Sequence, residues 1–332
     1  MILVLVEHTA GRPDRLSLET LTVARRLGTS IGEPVDAVLI GPGSRDAAAA
    51  LESTGVSVAR VVEDDRLDTY APEAWAATMV QLASGASIVL AAGSERGNEV
   101  IAHVGARIGQ AMAANVTDVR PGERFEVTRH RWAGSLLEDA VLDGDPKLLT
   151  VAPHAVAIED VPDAPGVGIE SFSPELTERD LRVRVVRHEP AAAGSVSLAD
   201  ARVVVGGGRG VGSAESFAIL EELAGLLGGA VGVSRVVTSA GWRPHTMQIG
   251  QTGQRIAPDL YVACGISGAI QHIVGCKAAK RILAINTDPD APIMSRASYA
   301  VIGDLHTVVP AISAEIRRVR GAAPASTGPA EG

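Results

Sequence analysis

Short apolar runs alternate with helically spaced stretches along most of this chain, and no other feature narrows its fold as far. Ile2 to Val6 is strand-like, Arg12 to Leu27 helical, Val35 to Ile40 strand-like and the alanine-rich Ser44 to Ser53 helical. Val58 to Val62 and Pro72 to Leu82 repeat the pair, with Pro72 suited to a first helical turn, where its missing N–H costs nothing. Ser87 to Ala91 and the helical Asn98 to Met112 follow. Such alternation implies a parallel sheet with helices on both faces.

From Phe125 to Ile158 the pattern turns to strands. Phe125 to Arg129 alternates and Lys147 to Val151 is a short strand, which together predict an antiparallel addition to a first domain. Arg182 to Val186 alternates charge with valine and predicts an edge strand with one wet face. Glu189 to Ser195, small and proline-marked, is the expected linker, which gives an N-terminal domain over residues 1–189. The α/β alternation then restarts for a second domain over residues 196–320. Its expected strands are Arg202 to Val205, Tyr261 to Ala263, Ile282 to Ile285 and Tyr299 to Ile302; its expected helices are Ala214 to Leu227, Ser267 to Val274 and His306 to Val319. Residues 321–332 hold too little apolar surface to order themselves. The expected fold class is therefore α/β, two domains, each with a mainly parallel sheet flanked by helices.

The second domain concentrates chemistry at its strand ends. Val203-Val204-Val205 stops in Gly206-Gly207-Gly208-Arg209-Gly210-Val211-Gly212-Ser213, and a strand, a glycine turn and a helix start would offer unpaired N–H groups to a phosphate. The glycines do not spell G-x-G-x-x-G, and no Walker lysine precedes Ser213, so neither dinucleotide fingerprint nor P-loop is present. A glycine turn without a ligand is the alternative; Arg209, among residues too small to shield it, favours phosphate through its planar fork. Two further clusters, Gln248 to Gly253 and Gly265 to His272, place Gly, Ser, Thr, Gln and His where strands meet helices. Ser267 reads as a helix N-cap.

Composition removes other classes. Aromatic residues at 3% leave little for stacking bases, and a net charge of −9 opposes a polyanion, so no nucleic-acid partner is expected. Cys264 and Cys276 fit no metal or redox motif and read as buried thiols of a reducing compartment, the cytoplasm. No run reaches membrane-spanning length, and Met1 to Val6, followed at once by Glu7 and His8, reads as a first strand and not a signal peptide. G-x-S-x-G and H-E-x-x-H are absent.

Gly207 to Gly210, Val231 to Arg235, Gln248 to Gly253, Gly265 to His272, Ala284 to Asp288 and Ala300 to Leu305 occur in the order found in alpha subunits of electron-transfer flavoproteins, and the second domain resembles that family throughout. In the first domain Val4 to His8 and Arg131 to Gly134 resemble it more thinly. The resemblance implies a Rossmann-like C-terminal domain holding FAD, one per heterodimer, with a beta subunit that covers the flavin and carries AMP. It implies a carrier more than an enzyme: FAD takes electrons from dehydrogenases, such as the acyl-CoA dehydrogenases of fatty acid β-oxidation, and passes them singly, through an anionic half-reduced form, to a membrane quinone oxidoreductase. The alternatives are a subunit of an electron-bifurcating, NADH-oxidising flavoprotein and a nucleotide-binding module without redox function.

Carried onto this sequence, the resemblance assigns FAD to Arg209, Ser234, Arg235, Ile249, Gly250, Gln251, Thr252, Ser267, Gly268, Ala269, Ile270, Gln271, His272, Asn286, Asp304 and Leu305. Within that set it puts Thr252 at the flavin N5, His272 at the N1/O2 edge and Arg235 near the ring, while Asp304 suits a ribose or adenine. Negative charge building at N1/O2 would be favoured by a fixed cation and a protonatable donor, which Arg235 and His272 would supply.

Overall fold

The structure, a computed structural model, describes residues 1–134, 136–162, 164–187, 197–198 and 201–321. The chain divides into two compact units, Met1–Glu189 and Pro190–Gly332. The expected linker at Glu189 to Ser195 and residues 322–332 of the expected tail lie outside the described residues.

Among the described residues, the main sheet of unit 1 has nine strands accompanied by four helices, beside a small hairpin of His8–Thr9 and Arg12–Pro13: β1 (Ile2–Leu5), α1 (Arg15–Ile31), β2 (Val35–Ile40), α2 (Ser44–Ala49), β3 (Val58–Val62), α3 (Pro72–Leu82), β4 (Ile88–Ala92), α4 (Glu95–Ile108), β5 (Met112–Arg120), β6 (Glu126–Arg131), β7 (Leu136–Val141), β8 (Lys147–Val151) and β9 (Gly168–Ser171). The sheet runs β9-β3-β2-β1-β4-β8-β5-β6-β7. Pairs from β9 to β5 are parallel, and β6 and β7 add on antiparallel. Strand β1 is buried on both faces, as a central parallel strand must be: Ile2 and Val4 enter one core and Leu3 and Leu5 the other. Pro72 opens α3, and α4 is capped by Ser94, whose Oγ accepts the Gly97 N–H at 2.8 Å.

Three expectations change here. Lys147–Val151 is not part of the antiparallel addition; it lies between β4 and β5, parallel to both. Met112, expected to end a helix, opens strand β5, because α4 stops at Gly109 in a left-handed cap. Arg182 to Val186 forms no strand; within unit 1 the Val185 N–H donates to the Tyr70 carbonyl at 2.8 Å, and the place next to β3 is taken by β9.

Unit 2 carries β10 (Val203–Gly207), α5 (Ala218–Leu227), β11 (Ala230–Val233), α6 (Arg235–Ser239), β12 (Leu260–Cys264), α7 (Ile270–Cys276), β13 (Ile282–Asn286), β14 (Tyr299–Ile302) and α8 (Leu305–Gly321). All five strands are parallel in the order β11-β10-β12-β13-β14. Strand β11 is absent from the sequence reading, since Ala230–Val233 is short and glycine-interrupted. Gly321, expected in the tail, is the last residue of α8. From β10 the chain goes to one side for β11 and returns to the other for β12, so the sheet has a switch point beside its central strand.

Leu90 of β4 is fully buried near the middle of the first sheet. Leu90→Ala should lower unfolding stability of unit 1 by about 3 kcal/mol, measured as a lower denaturant midpoint at unchanged slope; an unchanged midpoint would contradict the strand's central position.

Candidate functional site

The carboxyl ends of β10, β11, β12 and β13 open onto a cleft of about 500 Å³ in unit 2. Each strand delivers one segment to the wall: Arg209 and Gly210 after β10, Ser234 and Arg235 after β11, Gly265 to Ala269 after β12, Asn286 at the end of β13 and Asp288 beyond it. The turn Gln248 to Thr252 and residues Gln271 and His272 of α7 close the other side. The volume and the position at a switch point suit a nucleotide-sized ligand.

The glycine loop after β10 works differently from its expected role. The Gly208 N–H donates to the Cys264 carbonyl at 2.9 Å and the Gly210 N–H to the Gly265 carbonyl at 3.1 Å, so neither is free for an anion. Helix α5 starts only at Ala218, after two short 3-10 turns, and presents no N-terminus at Ser213. The glycines serve close approach: a β-carbon on Gly210 would sit 2.7 Å from the Gly265 Cα. Arg209 remains exposed at the cleft and makes no ion pair among the described residues. Ser267 is not an N-cap, because α7 begins at Ile270 with Ala269 in the cap position.

The Gln248 turn is tied from within. Gln248 is buried; its Oε1 accepts the Thr238 hydroxyl at 2.7 Å and its Nε2 donates to Thr252 Oγ1 at 3.0 Å. Thr252, which is exposed, therefore uses a lone pair on the protein and keeps its O–H to donate. The Gln251 N–H donates to the Gln271 carbonyl at 2.7 Å, which ties the turn to α7.

His272 is 6% exposed. Its Nε2 lies 2.7 Å from the Tyr261 hydroxyl and its Nδ1 has no well-aligned partner. Burial pushes its pKa down to about 4, partly countered by the nearby Ile249 carbonyl, so the imidazole is neutral at neutral pH. The expectation of a readily protonated donor at this position changes accordingly: the fixed positive charge of the cleft comes from Arg209 and Arg235.

Of the sixteen residues expected to bind the cofactor, the cleft gathers Arg209, Ser234, Arg235, Ile249, Gly250, Gln251, Thr252, Ser267, Gly268, Ala269, Gln271, His272 and Asn286. Three do not line it. Ile270 points to solvent at 73% exposure, Leu305 is packed in the core at 4%, and the Asp304 carboxylate caps α8 by accepting the His306 N–H at 2.9 Å. The cleft is also lined by Val236 and Ser239 of α6, Gln248, Asp288 and Ala291, and by the backbone segments at Gly210, Gly265 and Ile266, none of them among the expected sixteen. Gln248 and Asp288 stand inside the motifs already singled out, so the signal was present without a reason to rank them.

Residues 197–277 match the family model described as electron transfer flavoprotein FAD-binding domain, and residues 2–177 match electron transfer flavoprotein domain. The electron transfer flavoprotein subunit alpha of Mycobacterium leprae is 39% identical over 325 residues, covering 96% of this chain and 99% of that protein. The Bacillus subtilis protein of the same name is 34% identical over 322 residues, covering 96% and 98%. Protein FixB of Clostridium saccharobutylicum is 33% identical over 326 residues, covering 95% and 96%.

The buried imidazole has a consequence for stability. Unfolding restores its ordinary pKa of 6.5, so the unfolded chain binds the extra proton as pH falls from about 6.5 to about 4, and the folded state loses about 3 kcal/mol over that window. His272→Gln should show a shallower loss between pH 7 and pH 4 than the wild type when unfolding free energy is followed against pH. Parallel curves for the two proteins would contradict a buried neutral imidazole.

Proposed function

The chain belongs to the electron transfer flavoprotein alpha-subunit family, and from that premise we propose that it holds the FAD of a heterodimeric carrier that moves electrons from dehydrogenases to a quinone oxidoreductase. FAD, when bound, supplies a ring that accepts and releases electrons singly. The observation that carries the reading is the cleft at the switch point of a parallel sheet, walled by thirteen of the residues expected to hold that cofactor.

The residues fit the group. The unpartnered Nδ1 of His272 offers a buried polar atom in the wall, and Thr252, held by Gln248, offers a hydroxyl proton to the ring's N5 edge. Arg209 offers a fork to the diphosphate. Arg235 sets a permanent cation beside the cleft, where it favours negative charge gained on reduction.

A beta subunit carrying AMP is the proposed partner. Val236 at the cleft and Ile270 beside it expose apolar surface at 46% and 73%, which a covering chain would bury. In unit 1, Trp132, Leu136 and Leu137 are exposed at 79%, 55% and 68% around the β6–β7 turn, and we assign this unit the role of scaffold toward the same partner. Fatty acyl-CoA dehydrogenases are the proposed donors.

Coexpression with an electron transfer flavoprotein beta subunit tests the reading: one FAD per heterodimer, reducible in one-electron steps, is expected, whereas two flavins with NADH oxidation would favour a bifurcating role and a colourless heterodimer would overturn it. Arg235→Ala should lower the first reduction potential by about 60 mV, a tenfold change for one electron; an unchanged potential would remove Arg235 from the electrostatics.

A further inference from the structure

His272 in the wall of the cleft forms a closed pair with Tyr261 behind it. Tyr261 sits in β12 and His272 in α7, their rings 6.0 Å apart and inclined by 32°, and Tyr261 is fully buried. The phenol oxygen and the imidazole Nε2 are 2.7 Å apart. The phenol has one proton to give, and a neutral imidazole has one N–H and one lone pair.

Two arrangements satisfy that contact. If Nε2 carried the proton and donated to the phenol, the Tyr261 proton would have no acceptor among the described residues and the Nδ1 lone pair would also be unpaired. Two buried polar groups would be left unsatisfied. If Tyr261 donates to Nε2, the phenol is satisfied and the one remaining group is an Nδ1–H. Burying fewer unpaired polar groups selects the second arrangement.

We propose that Tyr261 is a positioning residue that donates its proton to His272 Nε2, fixes the Nδ1–H tautomer and thereby makes the nitrogen left without a protein partner a hydrogen-bond donor. The use of that donor toward an acceptor oxygen on a flavin rests on the function proposed above; the tautomer does not. The same geometry explains one glycine. A β-carbon on Gly206 of β10 would run into the Tyr261 hydroxyl, so the missing side chain makes the space in which the phenol reaches the imidazole.

Nitrogen-15 NMR of the full chain in its purified complex, labelled at histidine and assigned with His272→Gln, reads the tautomer. At pH 7 the wild type should show Nδ1 protonated and Nε2 unprotonated, and Tyr261→Phe should bring the two tautomers to comparable populations. Gly206→Ala, whose β-carbon would push away the Tyr261 hydroxyl and ring edge while leaving both side chains chemically intact, should do the same. A wild type with Nε2 protonated would overturn the proposal, as would a Tyr261→Phe spectrum identical to it. Should Tyr261→Phe fail to fold, the wild-type spectrum still decides. FAD content of the same samples separates the two claims: an Nδ1–H tautomer in a chain that holds no FAD upholds the positioning role and removes the function, and FAD beside an Nε2–H tautomer does the reverse.

Discussion

Backbone meets backbone where the loop after β10 crosses the loop after β12, and the cleft exists because of it. The Gly208 and Gly210 amides bond to the Cys264 and Gly265 carbonyls, at distances a side chain on Gly210 would prevent. That contact fastens two neighbouring strand ends together just beyond the sheet. Their following segments then diverge, with Arg209 on one side and Ser267 to Ala269 on the other. A sheet whose strands all run the same way puts its ligand-facing carboxyl ends on one edge, and the switch beside β10 opens that edge into a crevice.

Charge and polarity are divided within that crevice. The permanent cations, Arg209 and Arg235, are exposed and keep their hydration when no ligand is present. The imidazole is buried and neutral, held on the inner side by Tyr261. Burying a charged imidazole here would cost several kcal/mol without a carboxylate to pair it, and no carboxylate is hydrogen-bonded to it among the described residues. The outcome is a wall that supplies directed donors, Thr252 and His272, with the net positive field left to side chains that a ligand would cover.

Much of the fold was legible because parallel strands read as short, mainly apolar runs; Val35–Ile40, Val58–Val62 and the more exposed edge strand Tyr299–Ile302 end where their residues suggest. Strand direction was not legible. Lys147–Val151 has the same composition whether its neighbours run with it or against it, and only the long-range pairing with β4 and β5 decides. Arg182 to Val186 has the alternation of a strand but pairs with none, and the place beside β3 is held by β9. The site followed from motif positions, but which face each residue presents did not. Ile270 and His272 are two residues apart on one helical turn, and one faces water while the other is buried. Gln248 looked like one more polar turn residue; its importance comes from the Thr238 and Thr252 hydroxyls that it meets in space.

A crystal structure of the heterodimer with FAD tests the central claim most directly. The isoalloxazine ring should lie in the unit 2 cleft, with Thr252 and His272 at its edges and Arg235 beside it. A ring bound elsewhere, or a cleft filled by side chains with Arg235 and His272 turned away from the dinucleotide, would contradict it.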